Sequence, residues 1–143
     1  MKILVTAGPT REPIDPVRFI SNRSSGKMGY ALARAAARLG HDTALISGPV
    51  ALPPPEKVEL VRVVTTEEML TAVKQRIESC DALVMVAAVC DWRPRAPYRH
   101  KIKKLEMSRA LQLKPTPDIL RAVRSRKGSR TFVGFAAETR DLL

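Results

Sequence analysis

The sequence predicts a doubly wound α/β fold with a mostly parallel, Rossmann-like sheet, and three features predict it. Short apolar runs alternate with helical segments along the chain, the pattern of strands joined through crossover helices. One run, Ala82–Ala88, is continuously apolar, as a strand buried on both faces of a parallel sheet requires. The stretch Val5–Gly29, VTAGPTREPIDPVRFISNRSSGKMG, passes from a strand through a long basic loop to a glycine-punctuated helix start. The length, 143 residues, is about one domain's worth of chain.

Each element has its own local reason. Lys2–Ala7 is a β-type run. Gly26–Leu39 is Ala-rich and helical, with Gly40 placed to cap its end. Asp42–Ser47 is the second strand, and Gly48–Lys57, with Pro53, Pro54 and Pro55, is a rigid connection that cannot be helical. Val58–Val63 reads as a strand and Thr66–Ser79 as a helix, with Thr65 or Thr66 as N-cap and Glu67 and Glu68 in the first turn. After Ala82–Ala88 the pattern stops from Cys90 to about Lys114. Thr116-Pro117-Asp118 opens another helix, with Thr116 as N-cap and Pro117 at its first position. Thr131–Ala137 is a final strand.

Composition narrows the function. The longest apolar run is far shorter than the roughly 20 residues of a membrane helix, so no membrane role is expected. Strand-like sequence follows Met1 directly, so no signal peptide is expected. Cys80 and Cys90 then read as reduced thiols of a cytoplasmic protein, packed as small buried hydrophobes. The net charge of +11 suits a polyanionic ligand, a solvated basic surface or nucleic acid, but 4% aromatic residues are poor material for stacking bases.

Topology locates the site. Ligands of open α/β sheets sit beyond the carboxyl ends of the strands where the winding reverses. The loops after Lys2–Ala7 and after Val84–Ala88 are the candidates. The first offers Arg11, Arg18, Arg23, Lys27, Asn22 and the amides of the SSG run before a helix N-terminus, a set suited to phosphate. The second carries Arg93, Arg95, Arg99, Lys101, Lys103 and Lys104 without an acid, and reads either as a solvated loop or as a lid. A dinucleotide fingerprint is missing: the strand–helix loop is too long, SSGKMG has two glycines, and Ser47-Gly48 supplies no carboxylate for a ribose. A Walker loop also fails, because Gly26-Lys27 is followed by Met28.

Five ordered motifs carry a family resemblance: TAGPTREPIDPVRFISNRSSGKMG, AAVCDWRP (Ala87–Pro94), KIKK (Lys101–Lys104), LKPTPDIL (Leu113–Leu120) and VGFAAET (Val133–Thr139). Together they resemble the phosphopantothenate–cysteine ligases (phosphopantothenoylcysteine synthetases) of bacterial coenzyme A biosynthesis. In that family the domain is usually the C-terminal half of a bifunctional protein whose other half is a flavin-dependent decarboxylase. Cys90 stands where the family more often has Ala.

The resemblance implies an enzyme that uses CTP as co-substrate and Mg²⁺ as cofactor. It activates the 4′-phosphopantothenate carboxylate as an acyl-cytidylate, and the amine of cysteine then displaces CMP. Lys101 matches the lysine required to form the cytidylate, Asn22 the asparagine tied to its turnover, and Arg18 and Ala88 positions of the second half-reaction. Met85, Val86 and Ala87 match a backbone-lined cytosine and ribose edge. Asp91 matches a nucleotide-binding aspartate, Pro117, Asp118, Ile119 and Leu120 backbone donors, and Phe135 the residue packing on the base. Gly8, Ser24, Gly26 and Gly29 match phosphate-binding loops. Without the resemblance, Ala87, Ala88 and Phe135 read equally as core and Asn22 as a turn residue. No residue identifies the metal ligands.

The resemblance also implies a homodimer and a domain, residues 1–143, with a mobile basic flap near residues 90–114. The family continues beyond Leu143 with further strands, helices and triphosphate-contacting lysines, so on this reading the domain is truncated at its C-terminus. That keeps a second reading open, a nucleotide-binding module without catalysis. A nucleic-acid-binding domain using Arg93–Lys104 and Arg121–Arg130 is the third.

Overall fold

The computed structural model describes residues 1–104 and 110–137. Glu138 and Thr139 of the last motif, and residues 105–109 of the basic loop, lie outside the described residues. In chain order the elements are β1 (Lys2–Ala7), β2 (Arg11–Pro13), β3 (Phe19–Ser21), α1 (Lys27–Arg38), β4 (Asp42–Ser47), β5 (Glu59–Arg62), α2 (Thr66–Arg76), β6 (Ala82–Met85), β7 (Trp92–Pro94), β8 (Leu113–Pro115), α3 (Ile119–Val123) and β9 (Thr131–Gly134).

Among the described residues, five parallel strands form the central sheet in the order β5-β4-β1-β6-β9. The chain runs outward from β1 through β4 to β5, then returns to the other side of β1 for β6 and β9. This is the doubly wound α/β arrangement, and its winding reverses between β1 and β6. Alternation along the strands divides the core. Leu4, Ile46 and Leu83 face Met69, Val73 and Ile77 of the α2 side together with Ile119 and Val123 of α3. Val5, Ala7 and Leu45 face Tyr30 and Ala33 of α1.

Helix ends follow their local chemistry. α1 closes in a Schellman arrangement: Gly40, at φ +83°, donates to Ala37 O and His41 donates to Ala36 O. α2 opens with a capping box, in which the Thr65 hydroxyl accepts from Glu68 N–H and the Glu68 carboxylate accepts from Thr65 N–H. It tightens into a 3₁₀ turn over Ile77–Ser79, so the α-helix ends earlier than the expected Ser79.

Other expectations also need correction, the strand expected over Val58–Val63 pairing only as Glu59–Arg62. Ala82–Ala88 pairs as a strand only to Met85, because the hydroxyl of Thr6 accepts the amides of Val86 (3.2 Å) and Ala87 (3.2 Å) and turns the chain out of the ladder. Thr131–Ala137 likewise stops pairing at Gly134. Thr116 is not the cap of the third helix: its hydroxyl donates to the Cys90 carbonyl and its amide to Asp91 O (2.9 Å). Asp118 caps instead, accepting from Arg121 N–H at 3.0 Å, and Pro117 stays outside the helix. Finally, the stretch after Cys90 is not without pattern throughout, since the antiparallel ribbon β7–β8 closes it at its base. The first long loop contains the antiparallel pair β2–β3.

Candidate active site

The two loops at the reversal point are stitched together by backbone. Pro9 and Ala88 form a parallel bridge, with Ala88 N–H donating to Gly8 O (2.9 Å) and Thr10 N–H to Ala88 O (3.2 Å). Close approach here depends on small residues. A Cβ on Gly48 would lie 1.8 Å from Pro9 O, and one on Gly29 would lie 2.5 Å from Ala7 Cβ. Gly8 and Gly26, both at φ +74°, pack against Val50 and each other, bringing the start of α1 to the end of β1.

Asn22 follows β3 and points back to this junction. Its Nδ2 donates to Ala88 O at 2.8 Å and reaches Cys90 Sγ at 3.8 Å. A carbonyl can only accept, so the amide's donor side is committed, and among the described residues no hydrogen bond engages its oxygen, Oδ1.

A cleft of about 240 Å³ opens on the far side of the Ala87–Asp91 loop, lined by Met85, Ala87, Asp91, Pro117, Asp118, Ile119, Leu120 and Phe135 among others. Phe135 is 51% exposed, which removes the alternative that it is plain core. Its amide donates to Met85 O (3.0 Å), joining the wall of the cleft to the end of β9. With their amides on Thr6, Val86 and Ala87 have their carbonyls to offer, and among the described residues no hydrogen bond engages those oxygens. Ser24 belongs to a second cleft at the start of α1, of about 630 Å³, with Arg11, Ser25, Lys27 and Pro49–Leu52. Gly8, Gly26 and Gly29 shape that region by packing.

Arg18 and the neighbour of Lys101, Ile102, meet through a clamp. Asp15 is buried in the β2–β3 turn, where its Oδ1 accepts from Val17 N–H (2.9 Å) and Arg18 N–H (2.8 Å). Its Oδ2 accepts from Arg18 Nε (3.0 Å) and from Ile102 N–H (3.3 Å), while Arg18 Nη2 donates to Ile102 O (3.1 Å). The guanidinium holds the Asp15 carboxyl well below the usual carboxylate range, against burial, and the backbone N–H groups of Val17, Arg18 and Ile102 add to it. Lys101 is exposed beside the clamped residue.

Sequence reasoning missed a buried polar chain beneath these loops. Cys90 N–H donates to Thr10 Oγ1 (2.9 Å), Thr10 lies 3.1 Å from Thr66 Oγ1, and the Thr66 hydroxyl (2.7 Å) and amide (2.8 Å) both donate to Glu12 Oε1. Since the Thr66 proton goes to Glu12, the Thr10 proton goes to Thr66, so the chain runs in one direction and ends on an anion at the start of α2. Acids in the proline-broken run REPID, and Asp15 three residues before Arg18, were the available signals. The Cys90 thiol, with its backbone amide in this chain, is pushed up by burial.

Basic residues outside the site are used structurally. Arg93 pairs with Glu67 (2.5 Å), and Arg130 donates to Glu78 O (2.8 Å) and Cys80 O (3.0 Å) at the end of the α2 region. Among the described residues no group of three His, Cys, Asp or Glu side chains could hold a metal ion.

Known proteins share this arrangement. The coenzyme A biosynthesis bifunctional protein CoaBC of Bacillus subtilis is 47% identical over 141 residues, covering 98% of this chain and 35% of that protein. Its namesake in Escherichia coli K12 is 46% identical over 146 residues, covering 99% and 36%. The chain thus spans about a third of the length of these relatives. The crystal structure of the C-terminal domain of a CoaBC protein superimposes with a TM-score of 0.86 at 46% identity, over 99% of this chain and 66% of that one. The family described as DNA/pantothenate metabolism flavoprotein C-terminal domain matches residues 1–143 throughout, and this chain belongs to it.

Proposed function

We propose that this chain carries the ligation site of a phosphopantothenate–cysteine ligase, using CTP and Mg²⁺ to join 4′-phosphopantothenate to cysteine. One observation carries the reading. Eight residues that the resemblance assigned to the nucleotide come from three separate stretches of chain and line a single cleft. The cleft lies beyond the carboxyl ends of β6 and β9, the edge at which open α/β sheets hold their ligands.

In this reading the carbonyls of Val86 and Ala87 accept from the exocyclic amine of the base, and Phe135 covers its face. An acceptor pair reads an amine, which cytosine and adenine both have; CTP is proposed from the family resemblance. The α-phosphate then comes within reach of a carboxylate nucleophile. Its oxygen forms a bond to phosphorus, pyrophosphate leaves, and Lys101 balances the charge that develops. In the second step the cysteine nitrogen attacks the acyl carbon and CMP leaves with the former carboxylate oxygen. Asn22 Oδ1 accepts an N–H of that amine and aims its lone pair; it orients the amine without titrating. Arg18 holds the flap in place, and the Ala88 carbonyl fixes Asn22.

Mg²⁺ supplies charge neutralisation on the phosphates. An ion chelated by a nucleotide needs one or two carboxylates at most. Asp91 and Asp118 line the cleft, and the described residues build no separate cage. A homodimer, as in the family, is part of this proposal.

Calorimetric titration against CTP, ATP and NADPH, each with Mg²⁺, is the first test. Selective CTP binding supports the assignment, ATP preference changes the nucleotide, and NADPH binding alone overturns it. In the full-length protein, Lys101→Gln should cut pyrophosphate release by about a hundredfold, in the range of losing one preorganised charge contact. Unchanged release would refute the role of Lys101.

A further inference from the structure

The peptide of Ile102 is held at both ends by one ion pair. Its N–H donates to Asp15 Oδ2 and its C=O accepts from Arg18 Nη2. The same two side chains grip each other, through Arg18 Nη2 and Asp15 Oδ2 at 2.5 Å, and Asp15 is in turn fixed by the amides of its own turn. Tyr98 N–H adds a second tie to the same turn, donating to Ile14 O at 2.8 Å. The segment between these ties, Arg99–Lys101, is exposed and has no acid of its own. We infer that Asp15 is a positioning residue: through Arg18 it forms a latch that fixes the backbone next to Lys101 and so sets where that lysine's ammonium can reach.

The geometry explains why an arginine is used. A guanidinium can fork onto the carboxylate and still present a donor to the Ile102 carbonyl, whereas an ammonium is a point charge with no fixed second direction. It also explains why the carboxylate is buried. An ionised Asp15 that accepts from two turn amides and from Arg18 is held in one rotamer, so its remaining lone pair meets Ile102 in a defined place. A lysine on a long flexible stem is only useful at a developing charge if its backbone anchor does not wander. The inference rests on the ligase reading for what Lys101 does, but the latch itself can be tested without any activity.

A protease must draw several residues into extended conformation, so a pinned peptide is cut slowly until it opens locally. Two variants of the full-length protein separate the possibilities. Asp15→Asn keeps an oxygen for the Val17 and Arg18 amides but removes the charge that holds Arg18. Arg18→Lys keeps the charge but loses the fork. Limited trypsin digestion is followed at Lys101, Lys103 and Lys104, with Lys74 and Arg76 of α2 as internal reference. We expect cleavage at the flap to rise at least fivefold in both variants, with the α2 sites unchanged. The kcat for pyrophosphate release should fall about tenfold or more while the nucleotide KM stays within threefold. Unchanged flap cleavage overturns the latch, and so does equal acceleration at Lys74 and Arg76, which would report general loosening. Faster flap cleavage with kcat unchanged would overturn the positioning of Lys101. If the wild-type protein releases no pyrophosphate yet shows the cleavage pattern, the latch stands and the ligase reading fails.

Discussion

Gly29→Ala sets two opposing effects against each other at the place where α1 meets β1. Alanine is the better helix former, worth about 0.8–1.0 kcal/mol in a helix interior. Against this, the new Cβ would lie 2.5 Å from Ala7 Cβ, 2.9 Å from Thr6 O and 3.1 Å from Ala7 Cα. Carbon atoms pack at about 3.5–4.0 Å, so α1 must retreat from the strand by roughly 1 Å. Neither partner can yield: Ala7 is fully buried, and Thr6 sits in the central strand between β4 and β6. Overpacking of this kind costs about 1–3 kcal/mol or more, so the variant should be less stable by about 1–2 kcal/mol. With a urea m-value of about 2 kcal/mol/M, the middle of the range for small proteins, the midpoint should fall by roughly 0.5–1 M. Gly134→Ala is the matched control, because its Cβ would meet only the flexible Leu120 Cδ1 at 3.2 Å. A Gly29→Ala protein as stable as the wild type, or more so, would refute the close approach of helix and strand argued here.

Thr6→Val removes the one hydroxyl that accepts both the Val86 and Ala87 amides; these donors are half-buried, so the loss should fall at or below about 1 kcal/mol each, the low end for unpaired buried donors, and nucleotide affinity measured by calorimetry should weaken at least tenfold. Thr10→Val interrupts the chain from Cys90 to Glu12 and should lower stability by about 2 kcal/mol in urea unfolding, with Glu12→Gln milder because an amide oxygen can still accept from Thr66. Burial raises the pKa of both the Cys80 and Cys90 thiols, so at pH 7.5 they stay protonated and should label with a thiol reagent only on unfolding; rapid native labelling would contradict their burial. Asp15 has a folded pKa below its unfolded value, so its contribution is complete above the ordinary carboxylate pKa of about 3.9 and is lost as pH falls through the lower folded value. The stability difference between wild type and Asp15→Asn should therefore be constant from pH 5 to 8 and shrink only in strong acid.

What could be read before the structure was what repeats or punctuates. β1 and β4 were legible to the residue because strand propensity, an apolar face and flanking glycines agreed, and α1 was legible to within one residue at each end because alanine periodicity ran into Gly40. The parallel sheet followed from the unbroken apolar run at Ala82. What could not be read was what a polar side chain does at long range. Thr6 ends β6 across a separation of about eighty residues, and no local signal at Val86 announces it. Thr116 carried a proper cap signature, yet its hydroxyl is spent on Cys90 and the cap passes to Asp118.

The candidate site divides the same way. The motifs by themselves pointed to the family and named eight of the residues that line the cleft at the end of β6, since those residues are local in sequence and recognisable by pattern. The tertiary structure decided their contacts. Asn22 spends its donor on the Ala88 carbonyl, Phe135 lies exposed at the rim instead of in the core, and Asp15 and Arg18 grip the backbone of Ile102. Hydrogen-bond partners in this protein are chosen by proximity in the fold, and a one-dimensional pattern carries residue types but not the competition among distant donors and acceptors for each other.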